Sequence, residues 1–102
     1  MEKVAVIVDR PIGYTDEFGN IYSINYGYIP GVIGGDGEEQ DAYILDIDYP
    51  IDKYQGEVIA IIHRRNDVED KWVVSNQKYL KSEIIQKVDF IERYFDYWIE
   101  LL

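Results

Sequence analysis

From Ile84 onward the apolar residues change their spacing, and that change constrains the fold more than any other feature of the chain. Positions 84, 85, 88, 91, 95, 98, 99 and 102 are apolar, the recurrence of one helix face. A second stripe of Phe90, Tyr94, Tyr97 and Leu101 runs beside it. Ser82 is a candidate N-cap, and Glu83 stands where the positive end of a helix favours an acid. Nothing before Ile84 shows this period. Short β-rich runs cut by glycine and proline precede it: Lys3 to Asp9, Ile21 to Ile29, Asp41 to Ile47, Glu57 to His63 and Trp72 to Val74. The order predicts a mainly β (β+α) domain, a small closed or nearly closed antiparallel barrel with one long C-terminal helix packed against it. The run Lys3 to Asp9 does not alternate, so both faces of that strand are expected to be covered. Two adjacent stripes exceed what one barrel buries, which predicts a homo-oligomer, with a dimer favoured.

Length and charge narrow the function. At 102 residues the chain is expected to be one domain, 1–102, with a single modest core. Twenty acids against ten lysines and arginines give a net charge of −10. Nucleic acid and anionic membranes both need a basic footprint, so neither is an expected partner. An anionic small molecule would need its charge met by cations. There is no cysteine, the apolar start is too short for a signal peptide, and no run approaches a membrane span. A soluble, cytoplasmic protein is the expectation.

The chemistry concentrates in Tyr22 to Asp41, YSINYGYIPGVIGGDGEEQD. Asp36, Glu38, Glu39 and Asp41 lie within six residues, loosened by Gly34, Gly35 and Gly37. Four carboxylates this close repel one another unless a cation sits among them, or unless they form a solvated acidic turn. Period-2 geometry puts Asp41 on the face of Tyr43, Leu45 and Ile47, where an uncompensated charge is costly. Asp46 and Asp48 fall on the other face and are expected to be merely solvated.

Two blocks in register, Tyr22-x-x-Asn25-Tyr26-Gly27-Tyr28-Ile29 and Asp36-Gly37-x-x-x-Asp41, resemble the soluble, single-domain inorganic pyrophosphatases. Ser23 stands where that pattern has proline, Glu38 where it has aspartate, and Glu39-Gln40 where it has proline and an apolar residue. The resemblance covers most of this chain. It lacks the family's preceding segment, which bears a lysine and glutamates, and so resembles a short, N-terminally truncated relative. It implies an OB-like barrel and a Mg²⁺-dependent hydrolase, with Mn²⁺ as the alternative ion. The implied substrate is pyrophosphate or another phosphoanhydride.

On the same resemblance Asp36, Asp41, Asp67 and Asp70 are the candidate metal ligands. Glu38 and Asp41 are the candidate catalytic carboxylates. Arg10, Tyr26, Lys71 and Tyr94 are the candidate substrate contacts, and Phe95 stands where the family has a lysine. Arg10 reads equally as a surface arginine. Arg64 and Arg65 fit phosphate contacts, or hairpin-end charges near Asp67 and Glu69. Asp70 and Lys71 are adjacent, so in extended chain they point apart, and both reach one site only if Asp70 still lies in the turn. Asp41 is expected to matter most for turnover, with Asp46 a neutral control. The rival reading is a catalytically weak or silent domain of the same fold that binds a metal and a phosphate ligand.

Overall fold

The computed structural model describes residues 3–102. Its elements are β1 (Lys3–Arg10), β2 (Asn25–Ile33), β3 (Glu39–Ile44), β4 (Lys53–Arg64), β5 (Lys71–Ser75), α1 (Lys81–Glu92) and β6 (Tyr97–Leu101). The sheet runs β1-β2-β3-β5-β4, and the β1–β4 pairing closes it into a five-stranded barrel. All pairings of named strands are antiparallel except β3 with β5, which the β4 crossover makes parallel. Among the described residues no helix is long and apolar enough to cross a membrane.

β3 separates two apolar clusters. Ala42 and Ile44 face Val6, Ile29, Val58 and Val74, while Tyr43 and Leu45 face Ile62, Val73 and the α1 residues Ile84 and Val88. Here both faces are buried, as β3 lies between the barrel interior and the helix. β1 differs from expectation: Val6 is buried and Val4, Val8 and Arg10 are half-buried, but Lys3, Ala5, Ile7 and Asp9 are exposed. Its unbroken apolar run reflects β-branched strand preference, not two covered faces.

The helix is shorter than its apolar stripe. It starts after Leu80, whose N–H donates to Glu83 at 2.8 Å, so Glu83 caps the end where Ser82 was expected to. It stops at Glu92, which is fully buried and held by Arg64 and Tyr43. Beyond the turn, Tyr97–Leu101 is a strand on β4, with Ile99 opposite Ile62 and Trp98 opposite His63. Residues 97 to 101 alternate as well as they follow a helical stripe, and the free edge of β4 decides between the two. The second stripe is therefore divided. Phe90 and Tyr97 pack on the core, and Leu101 is exposed on β6.

Candidate active site

At one mouth of the barrel a cavity of about 680 Å³ is lined from every side of the fold. β1 brings Asp9 and Arg10, β3 brings Asp41 and Tyr43, and β5 brings Lys71. Tyr22 and Tyr26 form one wall, and Tyr94 and Phe95, from the turn after α1, form another. Neighbouring residues of a regular strand face opposite ways. Asp9 and Arg10 both reach the cavity because the β1–β2 register slips between Val8 and Arg10, inserting one residue. Gly27 makes the approach of these strands possible: a Cβ there would lie 1.8 Å from the Ile7 carbonyl oxygen.

Lys71 is the electrostatic centre. It is 5% exposed and donates to Asp41 Oδ2 at 2.6 Å, to Tyr26 Oη at 3.0 Å and to Glu69. Those three bonds use all three ammonium protons. Burial alone would push the Asp41 carboxyl up, but hydrogen bonding to Glu69 and the Lys71 charge bring it below its ordinary value. Glu69 moves the other way, because its hydrogen bond with Asp41 and its burial outweigh Lys71. Of the pair, Asp41 keeps the charge and Glu69 takes up a proton first. Burial, and then the Asp41 charge, push the Tyr26 hydroxyl far up, so it stays a neutral phenol.

Arg10 is the opposite case. Its Nη1 donates to Tyr22 Oη at 2.6 Å, and its guanidinium carbon lies 5.4 to 5.8 Å from the ring centres of Tyr14, Tyr22 and Tyr26. Among the described residues it alone of the arginines has no carboxylate partner, since Arg64, Arg65 and Arg93 pair with Glu92, Asp96 and Asp89.

The cavity floor is a buried ion pair. Arg64 Nε and Nη2 meet the two Glu92 oxygens at 3.0 and 2.7 Å, and Tyr43 Oη donates to Glu92 at 2.7 Å. The Phe95 ring covers the guanidinium at 3.7 Å. Removing one partner of such a pair costs about 3–5 kcal/mol, because the other charge is left buried alone.

Of the residues singled out by sequence, the fold brings Arg10, Tyr26, Asp41, Lys71 and Tyr94 to this cavity and leaves Asp36, Glu38, Asp67 and Asp70 outside its lining. Asp36 and Glu38 are exposed in a loop where the Asp36 carboxylate caps the Glu38 N–H at 3.0 Å. The loop rests on the 65–70 connection, so closely that a Cβ on Gly35 would meet the Val68 carbonyl oxygen at 2.2 Å. Asp67 caps the Glu69 N–H at 3.1 Å. Asp70 points away from Lys71 and lies 3.3 Å from Nδ1 of His63, whose Nε2 bonds Glu100 at 2.8 Å. Glu69, Tyr22 and Asp9 were missed. Glu69 was findable, since it precedes Lys71 by two positions and extended chain puts such residues on one face.

Asp46 requires a correction. It is not merely solvated: Ser75 Oγ and Tyr79 Oη donate to Oδ1, and Tyr54 Oη and the Asn76 N–H donate to Oδ2. Desolvation alone would raise its carboxyl, but these donors hold it below the ordinary value.

The divalent ion implied by the sequence resemblance does not fit this arrangement. Among the described residues no three aspartate, glutamate or histidine side chains converge as a ligand set. The two carboxylates that do meet in the cavity, Asp41 and Glu69, share the Lys71 ammonium.

No family model matches the sequence. No curated protein matches it either. Solved structures do match. The inorganic pyrophosphatase of Ehrlichia chaffeensis superposes with a TM-score of 0.75 at 14% identity, over 98% of this chain and 86% of that one. That of Coxiella burnetii gives 0.67 at 18% identity, over 98% and 83%. The pyrophosphatase of Thermus thermophilus gives 0.61 at 16% identity, over 99% and 80%. At these identities the likeness establishes the fold, and this chain has the fold of the soluble inorganic pyrophosphatases.

Proposed function

We propose that this cavity binds a phosphoanhydride, pyrophosphate being the simplest, and that the chain is a phosphoanhydride hydrolase. The observation that carries the reading is Arg10. In a chain of net charge −10, one arginine is kept without a carboxylate partner among the described residues, framed by tyrosines and facing a cavity. A guanidinium matches two oxygens of a phosphate at once. The phenols of Tyr22 and Tyr94 are donors for the remaining oxygens. Mg²⁺ enters this reading as the counter-ion of the substrate, so that a magnesium pyrophosphate complex approaches the acidic wall of Asp9, Asp16 and Asp41. Asp41, held ionised, is placed to orient a water for in-line attack, and Glu69, the more readily protonated partner, to return a proton. Glu38, outside the cavity lining, has no part in this reading. The pyrophosphatase fold of the matching structures supports the same chemistry.

A second reading, a silent phosphate-binding domain, is favoured by one observation: the Lys71 ammonium is already saturated and offers no free proton to a substrate. Phosphate release from magnesium pyrophosphate separates the two. Release that Arg10→Ala abolishes supports the hydrolase, binding without release supports the silent domain, and neither binding nor release refutes both.

A further inference from the structure

The Lys71 ammonium occupies the point where the cavity's negative charge is concentrated. We infer that it bridges Asp41 and Glu69 in place of a resident divalent cation, so that the cavity takes its anionic ligand without a protein-bound metal. The inference rests on the anion-binding reading of the same cavity.

Three observations support it. Lys71 is pinned as well as buried: it opens β5, stands opposite Ile62 in the β4–β5 ladder, and so cannot leave by swinging its backbone. Its three bonds go to Asp41, Glu69 and the neutral Tyr26 phenol, which places the positive charge directly on the carboxylate pair. The remaining acids do not assemble a second centre. Asp36, Asp67 and Asp70 cap backbone or lie beside His63, as described above, and Asp16 accepts from the N–H groups of Phe18 and Asn20. Asp9 lines the cavity beside Arg10 without completing a group of three with Asp41 and Glu69. A small hard cation needs several oxygens in octahedral array. Here no three carboxylates converge among the described residues, Asp41 and Glu69 already share one ammonium, and the ion would sit beside that fixed like charge.

The consequence is a latent site. Replacing the ammonium with an uncharged chain of similar length leaves two adjacent, partly buried carboxylates with no cation between them, and a divalent ion is the simplest compensation. The measurement is Mn²⁺ binding, by calorimetry and by the loss of the free-ion electron spin resonance signal. Parent, Lys71→Met, Lys71→Gln and Lys71→Met/Asp41→Asn proteins are compared after thermal melts confirm folding. The expected result is no Asp41-dependent Mn²⁺ site in the parent. Both Lys71 variants gain one at least about tenfold tighter than any parent binding, and the double variant loses it. An Asp41-dependent site in the parent overturns the inference, as does failure of a folded Lys71 variant to gain one. If neither Lys71 variant folds, the parent against Asp41→Asn decides alone. Pyrophosphate binding to the parent in chelator distinguishes the layers. Binding without metal is expected; binding only with Mg²⁺, joined by an Asp41-dependent Mn²⁺ site in the parent, overturns the inference and leaves the anion-binding reading, and no binding under either condition overturns both.

Discussion

Asp41 and Asp46 are five residues apart, one within β3 and one just beyond it, and the fold treats their charges in opposite ways. Asp41 faces an open cavity and is compensated by a buried ammonium. Asp46 receives four donors, three hydroxyls and a backbone N–H, with no cation. A carboxylate satisfied by neutral donors from β4, β5 and the segment before α1 ties those elements together. It has no oxygen to spare for chemistry. A carboxylate balanced by one lysine at a cavity wall keeps a net dipole facing the ligand. The first arrangement stabilises the barrel, and the second leaves reactivity exposed.

The comparison breaks if the two positions respond alike to mutation. The largest effect is expected at Asp41. Asp41→Asn should cut phosphate release from magnesium pyrophosphate on the order of 100-fold, the typical contribution of a positioned base. It should change stability little, because Lys71 keeps Glu69. Steady-state kinetics and a urea melt measure the two. Asp46→Ala should do the reverse, costing about 2–3 kcal/mol in a urea melt because four donors, Ser75 buried and Tyr54 and Tyr79 half-buried, lose a charged acceptor. Its effect on pyrophosphate binding should be small. Loss of turnover without loss of stability at Asp46 would erase the distinction.

The pH dependence of stability sharpens it. The Asp46 carboxyl is lowered in the folded protein, so its contribution is fully present above the ordinary value of 3.8 and is lost as pH falls through the lowered one. The gap in melting temperature between parent and Asp46→Asn should therefore be widest near neutrality and close at strongly acid pH. A gap that widens on acidification would reverse the sign of the account. The smallest effects are expected at Asp36 and Glu38. Replacing both with their amides should alter stability by less than about 0.5 kcal/mol and leave pyrophosphate binding unchanged, as for other exposed loop positions.

These contrasts also mark what the sequence could tell. The five barrel strands and the helix start were legible because β-branched runs, turn glycines and the stripe at Ile84 and Val88 are local signals. The end of the helix was not. Phe95 to Leu102 fits a helical face and a strand alike, and only the free edge of β4 settles it. Asp41 was legible from its shared face with Tyr43. Asp36 and Glu38 were nearer in sequence but stay in a loop that leans on Val68, a contact no periodicity reports. Arg64 read as a hairpin-end charge and lies buried, since its partner Glu92 comes from a helix 28 residues away.

The central claim is that the cavity is an anion site read by Arg10. Calorimetric titration of pyrophosphate into the parent and into Arg10→Ala, at fixed low salt with and without Mg²⁺, tests it most directly. A guanidinium contact to phosphate contributes about 1.5–3 kcal/mol, so the variant should bind at least about tenfold more weakly while melting at the same urea concentration. A parent that binds pyrophosphate no better than Arg10→Ala would contradict the account.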